Sequence, residues 1–188
     1  MDEVKTLAQM RDEVEAYCRD KGWWDEEVPF PVAMALLHEE AAEAGHAWRE
    51  WGLADATGHH DLAVLGGTKD VRLAKPEGVG SEFADIFIRM LDDDARYKMG
   101  LAEYLEPDPE IFDLDDHFLV NINTLHVLIA QVTVATDTCY ESPHSVFASI
   151  LSFLRQLCAR YGIDLMAEYE RKMVYNRTRA YRHGGRRA

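Results

Sequence analysis

Residues 32–52 read VAMALLHEEAAEAGHAWREWG. The spacing predicts a helix from about Pro31 to Trp51, closed by Gly52, whose conformational freedom suits a C-terminal stop. Three glutamates stand directly behind the apolar run. On a helix Glu40 and Glu43 are i and i+3 and share a face, and Glu39 lies one turn before Glu43. This helix therefore sets carboxylates beside the stripe it should bury.

The rest of the chain reads as helix too. Residues 2–21 are periodic through Val4, Leu7, Met10, Val14 and Tyr17. Further helices are predicted over about 79–99, 115–137, 144–161 and 164–176. Residues 53–77 hold glycines and a proline without a clean period and read as a loop. LEPDPEIFDLDD (105–116) is a Pro-marked acidic linker, and NRTRAYRHGGRRA (176–188) is a tail. The predicted fold class is all-α, a bundle of about six helices forming a single domain over 1–188.

A faint internal repeat runs through these helices. EFADIFIRMLDDDARYKMGLAEY (82–104) lies over VFASILSFLRQLCARYGIDLMAEY (146–169), and LHEEAAEA (37–44) lies over LHVLIAQV (125–132). Two copies of one helical hairpin are implied, 29–101 and 117–165. The acids do not recur in the second copy. Glu39, Glu40 and Glu43 correspond to Val127, Leu128 and Gln131, while Glu82 and Asp85 correspond to Val146 and Ser149.

The net charge of −14 is uneven: residues 171–188 carry seven Arg/Lys and no acid, leaving 13 basic against 34 acidic residues, −21, for 1–170. An acidic body of this kind does not hold a nucleic-acid backbone by charge, which argues against a nucleic-acid partner. A basic tail on it suits folding back, or meeting a small polyanion held there by metal. No run approaches the roughly 18 consecutive apolar residues of a membrane span. The three cysteines lack CxxC spacing and read as reduced thiols in a cytoplasmic protein.

Helix three opens with Glu82 and Asp85, again i and i+3 beside apolar residues. Two helices each presenting an acid pair can face one another across a bundle. Carboxylates crowded in this way raise each other's pKa values unless a cation sits among them. Oxygen-only ligands select a hard ion, Mg²⁺ or Mn²⁺.

The arrangement E39-E40-x-x-E43 followed by E82-x-x-D85 resembles the MazG family of all-α nucleoside triphosphate pyrophosphohydrolases, related to dimeric dUTPases. KMVYNRTRAYRHGGRR (172–187) resembles the C-terminal signature of the same group. The resemblance implies a hydrolase: a Mg²⁺-dependent nucleotide pyrophosphatase cutting a (d)NTP to the monophosphate and pyrophosphate. The metal ligands would be Glu40, Glu43, Glu82 and Asp85, with Glu39 or Glu43 as the catalytic carboxylate that positions or deprotonates the water. Lys172, Asn176 and Arg179 would meet the phosphates and sugar, and Trp48 and Phe83 would line the nucleotide pocket. A homodimer is also implied. Residues 1–101 become the catalytic half, 102–167 a degenerate repeat half, and 168–188 the C-terminal helix end and basic tail. Arg182, His183, Arg186 and Arg187 are expected to be loose.

Two other readings compete. A di-iron carboxylate bundle would use Glu43-x-x-His46 and Glu141-x-x-His144. A non-catalytic binding module would keep the fold without the chemistry. His59-His60-Asp61 reads as polar loop rather than metal ligand.

Overall fold

The structure, a computed structural model, describes residues 5–53, 75–101, 112–138 and 143–185. Within these the chain is all-α, with helices α1 (Leu7–Asp20), α2 (Phe30–Trp51), α3 (Val79–Tyr97), α4 (Phe118–Thr138), α5 (Pro143–Tyr161) and α6 (Leu165–Thr178). Most of the loop expected at 53–77 and of the linker at 105–116 lies outside the described residues. So do Cys139, Glu141, His59-His60-Asp61, Arg186 and Arg187.

Local chemistry sets the ends. α1 begins at Leu7, later than the residue-2 start expected from periodicity. The Thr6 hydroxyl accepts from the Gln9 N–H (3.2 Å), and the Gln9 side chain accepts from the Thr6 N–H (2.8 Å), a capping box. α4 starts at Phe118 rather than 115, because Asp115 closes a turn ahead of it, its carboxylate accepting from the His117 N–H at 2.7 Å. The His117 ring Nδ1 then accepts from the Leu119 N–H at 3.3 Å. Asp164 caps α6 through the N–H groups of Met166 and Ala167.

α3 is the central helix, packed against α1, α2, α5 and α6. Its Phe83, Ile86, Phe87, Met90 and Leu91 are fully buried. The Phe87 ring meets Tyr169 of α6 edge-on at 5.6 Å, and the Tyr169 hydroxyl donates to Glu13 of α1 at 2.9 Å. α1 and α6 are thereby tied to the same side of α3.

The two hairpins, α2 with α3 and α4 with α5, join through α2 and α4. At that seam His38 stacks on His126, with ring centroids 5.1 Å apart and Nδ1 atoms 2.8 Å apart. These are equivalent positions of the internal repeat, and meeting one's own equivalent is the contact made on a two-fold axis. The second copy does not pack throughout. Leu128 and Ile129 are buried, whereas Val127 is 47% exposed and Gln131 is exposed. α4 contains an 18-residue window, Phe118–Ala135, of mean hydropathy 1.6. It sets Phe118, Ile122, Leu125, Ile129 and Val132 into the core.

Burial lowers the pKa of His38, and burial followed by the His38 charge lowers that of His126. The fold therefore favours both neutral rings. Their stabilisation is present above the ordinary value of 6.5 and is lost as pH falls through the depressed folded values. Between pH 7 and pH 5 the melting temperature should fall more for the wild type than for His126→Gln. Parallel pH profiles of the two proteins would refute this.

The tail corrects an expectation: Arg182 and His183 are docked, not loose. The Arg182 N–H donates to Lys21 O (2.9 Å), its Nε to Gly22 O (3.1 Å), and its terminal nitrogen pairs with Glu26 (3.0 Å). His183 Nε2 lies 2.9 Å from the Tyr17 hydroxyl, and its ring meets Trp23 edge-on. Tyr181 donates to Asp25 and packs over Gly22, which sits at φ +78°. A side chain at Gly22 would overlap the Tyr181 ring and strain the backbone. Gly22→Ala should cost about 1–2 kcal/mol and expose the tail to trypsin at Arg182. Unchanged cleavage would show that the tail does not depend on this seat.

Candidate metal centre

The site is built where the first turn of α3 faces the middle of α2. Gly78, at φ +93°, turns the chain into α3. Ser81 then donates its hydroxyl to Pro76 O at 2.9 Å, fixing the entry. One position on, Glu82 is 5% exposed; Glu40 of α2 is 8% exposed, and Asp85 is half-buried. One carboxylate oxygen from each of Glu40, Glu82 and Asp85 comes within 4.8 Å of the others.

Two of the three acids have a cation in contact. Arg89 Nε donates to Glu40 Oε1 at 2.5 Å, and Lys172 Nζ stands 2.6 Å from Asp85 Oδ2. Lys172 is itself 3% exposed and donates to Ser81 Oγ at 2.7 Å. Burial works against its charge, but Asp85 and Glu82 outweigh that and hold its pKa above the usual lysine value. Glu82 has no such contact. Among the described residues its Oε2 is buried without a hydrogen-bond partner.

The electrostatics follow from this division. Burial pushes the Glu82 carboxyl up to about 8; Lys172 opposes the rise, and Asp85, Glu43 and Glu40 add to it. Glu40 is also raised, first by burial, with Arg89 pulling against it and Asp85 adding to it. A divalent cation among these oxygens would satisfy Glu82 Oε2 and remove the repulsion. An oxygen-only donor set fits a hard ion.

The other expected site residues fall into three places. Glu43 is exposed and lines a cavity of about 480 Å³ with Ala42, His46, Ala47, Trp51 and Glu82. It stands at the mouth, outside the 4.8 Å group, although its charge reaches both Glu40 and Glu82. Glu39 is exposed on α2. Asn176, one turn beyond Lys172 on α6, is 5% exposed, and its Oδ1 is buried without a partner among the described residues. Arg179 caps the end of α6, half-buried, with its guanidinium 5.8 Å from the Tyr175 ring centroid.

Trp48 and Phe83 are part of a stack. The Trp48 ring is 5.4 Å from Phe118 at an interplanar angle of 12°, and Phe83 is 6.2 Å from Phe118 at 16°. Phe83 has 0% exposure, so it holds α3 to α4 and offers no face to a ligand. Trp51, half-buried, is the tryptophan that lines the cavity.

Two contributors were not singled out from the sequence. Arg89 is i+4 from Asp85 and i+7 from Glu82, so helical spacing alone places it on the acid face. Tyr17 comes from α1; it is 8% exposed and its phenol senses the charges of Arg179 and Asp85. Burial raises its pKa, so it remains a neutral hydroxyl. No sequence spacing connects α1 to α3, and only packing brings Tyr17 there.

No histidine belongs to the three-acid group. His46 pairs with Glu50 at 3.2 Å, and His144 Nδ1 lies 2.8 Å from Met99 O. The histidines expected for a di-iron bundle are engaged elsewhere. Comparison with protein-family models, curated protein sequences and solved structures returned no match to this chain.

Proposed function

We propose that the chain is a Mg²⁺-dependent nucleoside triphosphate pyrophosphohydrolase, converting a (d)NTP and water to the monophosphate and pyrophosphate, as its likeness to the MazG family implies. The supporting observation is Glu82, whose Oε2 is buried and partnerless and whose carboxylate comes within 4.8 Å of two others. Asp93 Oδ2 on the same helix is also buried and partnerless, but among the described residues only Glu82 stands with two further carboxylates, the oxygen donors a hard cation needs.

Glu40, Glu82 and Asp85 hold the ion, with Mn²⁺ able to replace Mg²⁺. When bound, it neutralises phosphate charge and acidifies water. The basic side of the site is α6. The buried Asn176 amide and the Arg179 guanidinium supply donors for phosphate oxygens, and the docked tail keeps Tyr17 beside them. Four carboxylates, Glu43, Glu50, Glu77 and Glu82, line the cavity on the other side. Lys75 lines the same cavity and pairs with Glu77 at 2.8 Å. The donors of α6 suit the triphosphate, and Trp51 offers the nucleoside an aromatic face. Glu43, exposed at the mouth, is the carboxylate that takes the proton of the attacking water.

Pyrophosphate release should be measured across the eight common NTPs and dNTPs with Mg²⁺. No release from any of them by folded protein would sink the catalytic reading.

A further inference from the structure

Three carboxylates carry six oxygens, yet they are not equally free. Glu40 Oε1 accepts from Arg89 Nε at 2.5 Å, and Asp85 Oδ2 is 2.6 Å from Lys172 Nζ. Lys172 is fixed in place, whereas the Arg89 side chain is 35% exposed and held by its bond to Glu40. Arg89 rises from the same face of α3 as Asp85 and Glu82. Lys172 is buried and anchored on Ser81 Oγ, which is tied in turn to Pro76 O. Glu82 alone keeps an oxygen that is buried and partnerless.

We propose that Arg89 and Lys172 clamp Glu40 and Asp85 so that each offers a metal one oxygen, which sets the centre for Mg²⁺ or Mn²⁺ and against Ca²⁺. The inference rests on the metal-centre reading above and adds to it how the ion is chosen. Ca²⁺ takes about 6–8 oxygens at roughly 2.3–2.6 Å and often uses both oxygens of a carboxylate. Mg²⁺ takes six at about 2.0–2.1 Å and completes its shell with water and phosphate. With one oxygen of Glu40 and one of Asp85 engaged, four of the six remain. Glu40 and Asp85 can then each give only one oxygen, which denies Ca²⁺ the bidentate carboxylates it often uses and suits an ion that keeps several waters. The clamps also cancel two of the three negative charges, so the substrate's phosphates strengthen the ion's binding.

Arg89 acts here as a positioning residue, through Glu40. The repeat marks it as specific to this half, since its equivalent in the second copy is Phe153, which is 1% exposed in the core.

The test is Mn²⁺ binding to the full-length protein, followed by electron paramagnetic resonance, with Mg²⁺ and Ca²⁺ as competitors. For the wild type, Mg²⁺ should displace Mn²⁺ at lower concentration than Ca²⁺ does. In Arg89→Gln, with Glu40 free to chelate through both oxygens, Ca²⁺ should gain on Mg²⁺ by about tenfold. An equal gain for both ions would reduce Arg89 to a field effect and overturn the clamp. Ca²⁺ competing as well as Mg²⁺ against the wild type would also overturn it, whether or not the variant folds. In both cases nucleotide hydrolysis with Mg²⁺ would leave the proposed function standing. Failure of Mn²⁺ to bind the wild type would instead remove the metal centre itself, and the clamp with it.

Discussion

Glu82→Gln should lose pyrophosphate release by at least about 100-fold, the upper end of what even outer-shell losses cost a metal site. The same substitution should make the metal-free protein harder to melt. Burial holds the Glu82 carboxyl near pKa 8 in the folded chain, against 4.5 ordinarily. Between those values the folded state keeps a proton that the unfolded state has released, so stability declines as pH rises from 4.5 toward 8 and then levels. Gln has no such titration. The variant's advantage should therefore grow between pH 5 and pH 8, reaching about 1–3 kcal/mol. Adding Mg²⁺ should raise the melting temperature of the wild type and not of the variant. A variant that is less stable than wild type at pH 8 would contradict the idea that Glu82 is held at a cost for a cation.

Lys172→Met should act in the opposite direction, destabilising the metal-free protein by about 3–5 kcal/mol at pH 8, the usual penalty for stripping one partner from a buried pair. Its Nζ is the contact of Asp85 and of Ser81, inside a wall with 3% exposure. The lysine's folded pKa lies above its ordinary 10.5, so its stabilisation is complete below that value. It fades only as pH rises through the higher folded value. The difference between wild type and variant in urea unfolding should thus be flat from pH 8 to pH 10 and shrink above pH 11. Mg²⁺ should restore part of the loss in the variant by standing in for the missing cation. A difference below about 1 kcal/mol at pH 8 would mean that the pair is not holding α6 to α3.

Much of the bundle was legible before any coordinates, because helical periodicity and glycine or proline punctuation are local signals. The stretches assigned to helix two (31–51) and helix five (144–161) differ from Phe30–Trp51 and Pro143–Tyr161 by one residue at one end. The differences fall where side chains bind the backbone locally: Thr6 caps α1 and Asp115 turns the chain ahead of α4, each ending a helix that apolar spacing extends. Spacing also put Glu40 with Glu43 on one face and Glu82 with Asp85 on another. It could not rank them. Packing buries Glu40 and Glu82 and leaves Glu39 and Glu43 in solvent, because α3 crosses α2 beside only part of its acid run.

HEEAAE at 38–43 and its counterpart HVLIAQ at 126–131 differ in chemistry, and that difference is a property of the sequence alone. It determined that one half of the chain carries acids where the other does not, and that these acids stand on α2 and α3. The tertiary structure decided which acid is matched by which cation. Arg89 reaches Glu40 across two helices, Lys172 reaches Asp85 from 87 positions away in sequence, and Glu82 is left with an open oxygen. Charge pairing in a buried site depends on distance in space and on what burial excludes. Neither is encoded in the spacing of residues along one helix.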